Sequence, residues 1–243
     1  MITRITAIAS AVFLDAMRRK VVWVVLLFSA VLAVAIPALP SYGAGVVQAV
    51  YREVALALVY AALVAVTLAL AANRVPGEIE RRTIYNVLAR GVPRWEYLVG
   101  TWAGIVVTVG IVGLSFAAVA IGVGFVTYGT VMFTLLEGVF AIWLEAGVLA
   151  AFCMAVASVS GAVVVSVASL AFLFVTHARA GLFTPDTLGW KLYPSLDTFN
   201  IITPVAHGSG VSAGYLLLAV VVFAAWSGIL LLISSAAFAR RDL

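Results

Sequence analysis

The chain has 243 residues, of which 65% are hydrophobic and 10% are charged, and its formal net charge is +4. A soluble domain carries about 25% charged residues, so this chain has too little polar surface to cover itself in water and must use lipid as its solvent. Apolar runs fill nearly the whole length, which excludes a separate soluble domain. No phosphate-binding loop of the form G-x-x-x-x-G-K-[ST] occurs, so we expect nucleotide hydrolysis only on another chain. In this setting the positive charge bears on membrane topology, and no nucleic-acid partner is expected.

Apolar runs long enough to cross a bilayer, which takes about 20 helical residues, give six predicted spans. Spans one, two, three and six are residues 21–39, 54–72, 97–126 and Ala213–Ala239. The run 133–175 is too long for one crossing at about 1.5 Å per residue, so we expect it to break at residues 158–161 into spans four and five. The sequence therefore predicts an all-α, polytopic membrane protein in which residues 1–243 form a single domain.

Positive charges are concentrated on one side of this arrangement. Four of the 14 Lys and Arg residues lie in the first twenty residues, five lie between spans two and three, and two end the chain. The opposite side has only Arg52, Arg179 and Lys191. With six spans the three larger groups fall on one face, and the positive-inside rule makes that face cytoplasmic. We therefore predict a multi-pass protein of the plasma or inner cell membrane, surrounded by lipid, with both termini in the cytoplasm.

Residues 1–20, ahead of the first span, combine an apolar stripe at helical spacing with several charges. The apolar positions are Ile5, Ile8, Ala9, Val12, Phe13 and Ala16, and the polar ones are Arg4, Ser10, Asp15, Arg18 and Arg19. This pattern predicts a helix lying in the cytoplasmic interface, with its cations near anionic head groups. The alternative is an ordinary basic flank that only sets the topology.

The cytoplasmic segment 74–97, between spans two and three, is the most informative stretch of the sequence. Pro76 and Gly77 predict the end of the preceding helix, and Pro93 predicts a second break. Between the breaks we expect a short helix. The charges at its ends suit the helix dipole, with Glu78 and Glu80 early and Arg90 late.

An apolar stripe marks one face of this short predicted helix. Ile84, Val87 and Leu88 lie at positions i, i+3 and i+4, which share a face. Such a helix suits docking into a groove on a partner protein. The residue chemistry is equally compatible with a solvated connector whose stripe packs on the chain's own spans.

This segment, residues 74–97, is called the connector below, and it also carries a family resemblance. The strings EIERRTI (78–84) and LARGVPRWEYLVG (88–100) resemble the signature E-x-E-x-G-T-I-x-x-L-L-x-x-P-V-x-R-x-x-x-x-x-G-K of ABC exporter permeases of the type-2 class. The strings PSLDTFN (194–200) and AFARRDL (237–243) are similar to other parts of that family, nearest to the branch linked to maturation of copper enzymes such as nitrous oxide reductase. The chain departs from the signature with Arg82 for a glycine, Gly91 for a proline and Thr101 for a lysine.

The resemblance implies six spans, an N-terminal elbow helix, a coupling helix and a permease homodimer with two ATPase subunits on its cytoplasmic face. ATP and Mg²⁺ would bind those partners, so this chain is expected to be no enzyme and to hold no cofactor. Arginines of the connector would pair with acidic groups of the ATPase, and the apolar stripe would fill its groove. The coupling residues implied are Glu78, Glu80, Arg81, Arg82, Thr83, Ile84, Val87, Leu88, Arg90 and Arg94.

Two acidic residues fall in predicted span four. This span runs inward, so Glu137 is expected near the outer surface and Glu145 about 12 Å deeper. Charges at depth are costly and usually face a cavity or a partner, which predicts a substrate path or a dimer seam. The alternative is a carboxyl held neutral or hydrogen-bonded for packing. Arg52 is a possible partner for Glu137 near the outer surface.

Other features carry weaker signals. Gly100 and Gly104 form a G-x-x-x-G pattern that favours close packing within the subunit over a dimer seam. The external segment 177–212 could gate an exit or dock an external partner protein. Its histidines, His177 and His207, are too isolated to predict a metal site, and Cys153 is expected to be a small core residue.

The sequence therefore favours the permease subunit of an ATP-driven exporter, with the substrate class left open. Two alternatives remain. One is a mechanotransmission permease that moves no substrate and works an external partner. The other is an ion-coupled secondary transporter that uses Glu145 as its proton site.

Overall fold

A computed structural model describes residues 2–18, 27–28, 30–32, 44–84, 89, 91–184, 186–187 and 194–240, and the regular structure in them is helical. Five long helices come first in chain order: α1 (Ile2–Arg18), α2 (Ala44–Glu80), α3 (Arg94–Tyr128), α4 (Thr134–Ala157) and α5 (Ala162–His177). They are followed by the short α6 (Arg179–Leu182), a 3₁₀ turn at Leu196–Phe199, the short α7 (Ile202–Ala206) and the long α8 (Ala213–Ala239).

Four of the described helices, α2, α3, α4 and α8, are long and apolar enough to cross a membrane. They contain predicted spans two, three, four and six, which confirms the all-helical class and supports a membrane-embedded protein. The break at residues 158–161 is also confirmed, because α4 ends at Ala157 and α5 begins at Ala162. The 16 residues of α5 make it shorter than the other four. Most of predicted span one, 21–39, lies outside the described residues, so the count of six stays a prediction.

The end of α2 differs from the sequence prediction. Pro76 and Gly77 do not break the helix, which continues through them to Glu80. A proline removes one backbone N–H from a helix, and the turns on either side of Pro76 stay helical. The second predicted break is confirmed, because Pro93 has an extended backbone and caps the start of α3.

α1 packs against the beginning of α3 through the two glycines of the G-x-x-x-G pattern. A Cβ at Gly100 would lie 2.9 Å from the Ile8 Cβ, and a Cβ at Gly104 would lie 2.7 Å from the Ala9 carbonyl oxygen. The contact advances by one turn on each helix, because Gly100 faces Ile5 and Ile8 whereas Gly104 faces Ala9 and Val12. The expected packing within the subunit is therefore confirmed, and the helix that fills the groove is α1.

α3 and α4 are joined by two reciprocal indole hydrogen bonds. Trp102 on α3 donates its Nε1–H to the Gly147 carbonyl oxygen at 2.9 Å, and Trp143 on α4 donates to the Val106 carbonyl oxygen at 2.8 Å. Phe223 of α8 stacks on both indole rings, with centroids 5.9 Å and 6.4 Å away. One aromatic cluster therefore holds three membrane helices together and satisfies both indole N–H groups.

Contacts between helix ends group the chain's segments at two opposite ends of the bundle. At one end, Arg94 of the connector donates to the Phe238 carbonyl oxygen at the C-terminus of α8. At the other, Arg52 donates to the Ala206 carbonyl oxygen, and Glu137 lies beside Val211. Segments that the charge pattern assigned to one face thus occupy one end of the structure.

Gly104→Ala is expected to destabilise the protein by about 1–3 kcal/mol, because the new Cβ would press on the backbone of α1. Gly122→Ala is the matched control on the same helix, since no atom lies within 4 Å of the added Cβ. That change should be neutral or stabilising by up to about 1 kcal/mol. Thermal unfolding of both variants in detergent micelles tests the difference, and equal midpoints would contradict the packing of α1 on α3.

Candidate functional site

The connector leaves α2 through a complete Schellman turn at residues 78–83. The Thr83 N–H donates to the Glu78 carbonyl oxygen and the Arg82 N–H to the Ile79 carbonyl oxygen, both at 3.0 Å. Arg82 adopts a left-handed backbone with φ of +56°. This pairing of bonds is the motif that satisfies the last carbonyls of a helix, and it usually has glycine at the left-handed position.

Glu78 and Glu80 consequently lie in the last turn of α2, and the expectation that they begin a new helix is wrong. A carboxylate at a helix C-terminus opposes the dipole, so it needs a partner. Glu78 has two, because Arg74 Nε lies 2.7 Å from its Oε1 and the Tyr97 hydroxyl donates to its Oε2 at 2.7 Å. Arg74 also donates to Asp15 of α1 at 2.6 Å. These contacts link α1, α2 and α3 at the start of the connector.

The far end of the connector is held by α1 and α8. Arg4 of α1 donates to the Gly91 carbonyl oxygen at 3.1 Å and lies 4.0 Å from the buried Glu96. Arg94 donates to the Phe238 carbonyl oxygen at 2.7 Å, where a cation is favoured by the C-terminal dipole of α8. Its guanidinium also lies 5.7 Å from the Phe238 ring centroid. Arg94 thus has partners within the chain, and the predicted pairing with an ATPase stays a prediction.

The remaining predicted coupling residues divide into exposed and buried positions. Glu80, Arg81, Arg82 and Thr83 are exposed. Ile84 is fully buried in the chain's own core, which agrees with the alternative in which the apolar stripe packs on its own spans. Val87, Leu88 and Arg90, which carry the rest of the predicted short helix, lie outside the described residues.

A second site surrounds Glu145, which is only 3% exposed in the middle of α4. The Tyr60 hydroxyl of α2 donates to Glu145 Oε1 at 3.0 Å, and His177 Nε2, at the end of α5, lies 3.4 Å from the same oxygen. The Tyr60 and His177 rings meet edge to face, with centroids 6.0 Å apart. Three helices therefore converge on one buried carboxyl group.

Both ring nitrogens of His177 lie near oxygen atoms. Nδ1 is 3.0 Å from the Leu173 carbonyl oxygen of its own helix, and Nε2 is 3.4 Å from Glu145 Oε1. An imidazolium attracts a carboxylate across such a distance, and a neutral imidazole can accept a hydrogen bond from a protonated carboxyl. The Glu145 carboxyl and the His177 imidazole are therefore placed so that they can share a proton.

A cavity of about 630 Å³ lies against this pair. Its wall is mainly apolar and comes from α2, α4, α5 and the segment 199–202. The lining residues that matter for binding are Tyr60, Glu145, Phe174, His177, Phe199 and Asn200. The predicted substrate-path role of Glu145 therefore has a cavity to act in, although its function stays a prediction.

Glu137 has a different environment at the end of the bundle. Its Oε2 accepts the Val211 N–H at 2.9 Å, next to Gly210, whose φ is +62°. Arg52 instead bonds the Ala206 carbonyl oxygen at 3.0 Å, so the expected pairing of Arg52 with Glu137 is not formed between these described residues. Both side chains fasten the segment that enters α8, and Glu137 does not line the Glu145 cavity.

Sequence reasoning missed Tyr60 and did not connect His177 with Glu145. His177 begins the predicted external segment 177–212, and it lies against Glu145 because the short α5 ends beside the middle of α4. His207 is exposed and bonds only its own turn, and buried Cys153 contacts Ser169 at 3.1 Å. Within the described ranges no group of three or more His, Cys, Asp or Glu side chains could hold a metal.

Arg82→Gly is expected to stabilise the protein by about 1 kcal/mol, because glycine adopts the left-handed backbone without a Cβ clash. Arg81→Gly is the matched control at the adjacent exposed position, whose backbone is not left-handed, and it should destabilise by about 0.5–1 kcal/mol. Thermal unfolding of the two variants should shift in opposite directions. A shared decrease would contradict the Schellman turn.

Comparison with protein-family models finds no match to this chain, and comparison with curated protein sequences finds no significant relative. The resemblance to type-2 permeases rests on the signature residues and on the helical layout.

Proposed function

We propose that this chain is the membrane subunit of an ATP-driven exporter, working as a homodimer whose connector is moved by separate ATPase subunits. The observation that carries the proposal is the anchoring of the connector at both ends. Its start is bonded through Glu78 to Tyr97 and through Arg74 to Asp15. Its end is bonded to Arg4 of α1 and, through Arg94, to the C-terminus of α8. A push on the connector would therefore reach α1, α2, α3 and α8 together.

The exposed part of the connector has the charge that a partner could use. Arg81 and Arg82 are both exposed at the end of the bundle, next to the C-terminus of the longest helix. Arginine is well suited to acidic partners because its planar guanidinium bonds carboxylates in a bidentate fashion. An acidic surface on a cytoplasmic ATPase would meet these two residues first.

The backbone supports the resemblance at one signature position and departs from it at another. Arg82 stands where the type-2 signature has glycine, and its φ of +56° explains why glycine suits that place. Gly91 stands where the signature has proline, and its φ of +69° is a value that proline cannot adopt. The Schellman turn at Arg82 thus fits the family pattern, whereas the left-handed backbone at Gly91, ahead of α3, does not fit it.

The proposed orientation follows from the charge pattern. The connector lies at the same end of the bundle as the C-terminus of α8, and these segments hold most of the chain's arginines. The positive-inside rule then places that end in the cytoplasm, where an ATPase and its ATP are available. The host membrane would be the plasma or inner membrane.

Reversing both exposed charges, as Arg81→Glu with Arg82→Glu, is expected to reduce recovery of the ATPase with the tagged chain by about 10-fold or more, because like charges would face each other. Purification from the native host in mild detergent, followed by mass spectrometry and an ATPase assay, measures the loss. The change of Arg81 and Arg82 to Lys is the control, since it keeps the charge and should retain most of the partner.

The proposal fails if no nucleotide-hydrolysing subunit is recovered with the unaltered chain. The docking assignment alone fails if the reversed variant retains its partner in full. Size-exclusion profiles of each variant separate a lost partner from a misfolded chain.

A second candidate function, ion-coupled transport through Glu145, is supported by the close approach of the His177 imidazole to the buried Glu145 carboxyl. A buried carboxyl that exchanges a proton can couple flux to a gradient. Its position between α2, α4 and α5 lets a shift of any of these helices change the pair.

Glu145→Gln is expected to abolish proton flux in this second case, because the amide cannot release a proton. Proteoliposomes holding this chain alone, with an imposed pH gradient and an internal pH-sensitive dye, measure the flux. Glu53→Gln is the control, since Glu53 is an exposed carboxylate on α2 away from the cavity. If the unaltered chain shows no flux above empty liposomes, the ion-coupled alternative is wrong.

A further inference from the structure

The Glu145 carboxyl is only half engaged by the protein. The Tyr60 hydroxyl and His177 both approach Oε1, whereas Oε2 has no hydrogen-bond partner among the residues that the structure describes. Glu145 also lines the 630 Å³ cavity while its side chain stays 4% exposed. A buried carboxyl with an unused oxygen beside an empty space is an arrangement that a ligand can complete.

The charge of the cavity wall selects the sign of that ligand. The described lining residues include one carboxyl group, one imidazole and no Lys or Arg. Among these described lining residues the imidazole is the only group that can carry a positive charge, and its Nε2 already lies near Glu145. A cation that brings its own charge can take the place of that imidazole, whereas an anion would meet the carboxylate with no compensating group.

The rest of the wall selects an apolar body for the ligand. The rings of Tyr60, Phe174 and Phe199 border the cavity, and aromatic faces attract cations as well as apolar groups. Its volume falls in the range of about 300–1,000 Å³ that holds drug-sized molecules. Leu170 and Phe174 are 53% and 69% exposed on the outer side of α5, so they form an apolar lip open to the surroundings of the helix.

We propose that this cavity binds a lipophilic organic cation, whose positive group displaces His177 from Glu145 and whose apolar body packs on the aromatic wall. The inference deepens the proposed transport function and rests on it for its role in the cell. It assigns the substrate class to the site between α2, α4 and α5 within one subunit. Binding itself needs neither the ATPase nor ATP.

The cation and His177 compete for the same carboxylate. His177 Nε2 lies 3.4 Å from Glu145 Oε1, so a cation that bonds both carboxylate oxygens has to displace the imidazole. The other titratable groups around Glu145 are Tyr60 from α2 and Asp197 from the 3₁₀ turn. Replacing the imidazole with a neutral amide removes the group that can carry a competing positive charge, which favours the cation.

Tetraphenylphosphonium and tetraphenylborate are suitable probes, because they have nearly the same size and apolar surface but opposite charge. Each would be measured by equilibrium dialysis against the full chain in phosphatidylcholine nanodiscs, with empty nanodiscs subtracted for partition into lipid. We expect saturable binding of tetraphenylphosphonium only. Glu145→Gln should weaken it by at least about 10-fold, because the carboxylate is lost. Glu53→Gln, at an exposed carboxylate outside the cavity, should bind as the unaltered chain does.

His177→Gln provides a change in the opposite direction, which misfolding cannot imitate. It should tighten tetraphenylphosphonium binding by about 5-fold or more, since the competing base is gone. Equal binding of the cation by the unaltered chain and Glu145→Gln, or equal saturable binding of tetraphenylborate, would overturn the proposal, as would weaker binding by His177→Gln. Recovery of an ATPase without cation binding would end this inference alone, and cation binding without any ATPase would end the exporter proposal alone.

Discussion

Hydrogen bonds between helices organise the structure. Lipid offers no hydrogen-bond partner, so a buried donor is costly unless it bonds a neighbouring helix or its own backbone. The indoles of Trp102 and Trp143 do so by bonding each other's helices, which fixes the register of α3 and α4. Phe223 then sets α8 against both rings. The frame that positions the connector and the cavity follows from these cross-helix bonds.

α2 connects the two candidate sites. It has Tyr60 at the Glu145 cavity and Glu78 at the start of the connector, about 27 Å apart along the helix at 1.5 Å per residue. A helix of this length is stiff, so a displacement at Glu78 would be felt at Tyr60. In the proposed function this gives a direct route from ATPase movement to the cavity, because a shift of Tyr60 removes one of the two groups that hold Glu145.

The connector has a left-handed backbone at two positions, which is strained at Arg82 and unstrained at Gly91. Arg82 has a left-handed backbone that costs a residue with a Cβ about 1 kcal/mol, and the Schellman bonds around it offset that cost. Gly91 has a similar backbone without the cost, because it has no side chain. The connector is thus shaped at both ends by local backbone geometry and fastened there by arginine and carboxylate contacts with the helices.

The sequence by itself determined the solvent, the fold class and most helix limits. Apolar runs of about 20 residues are typical of membrane helices, and the small polar cluster at 158–161 was enough to locate the break between α4 and α5. The sequence prediction placed the end of α2 too early, at Pro76. The helix ends instead at the left-handed turn at Arg82, where arginine gives no sign of such a backbone. The close packing of Gly100 and Gly104 was foreseeable, although not the identity of their partner.

Only the tertiary structure decided which residues form the sites. Tyr60 and His177 are far from Glu145 in sequence, and their meeting depends on where α5 ends relative to the middle of α4. The same holds for Arg94, whose partner at Phe238 is near the other end of the chain. Periodicity and composition report the environment of a single helix, whereas these contacts depend on how helices distant in sequence are arranged in space. That arrangement is set by packing and by the need to satisfy buried polar groups, which a one-dimensional pattern does not contain.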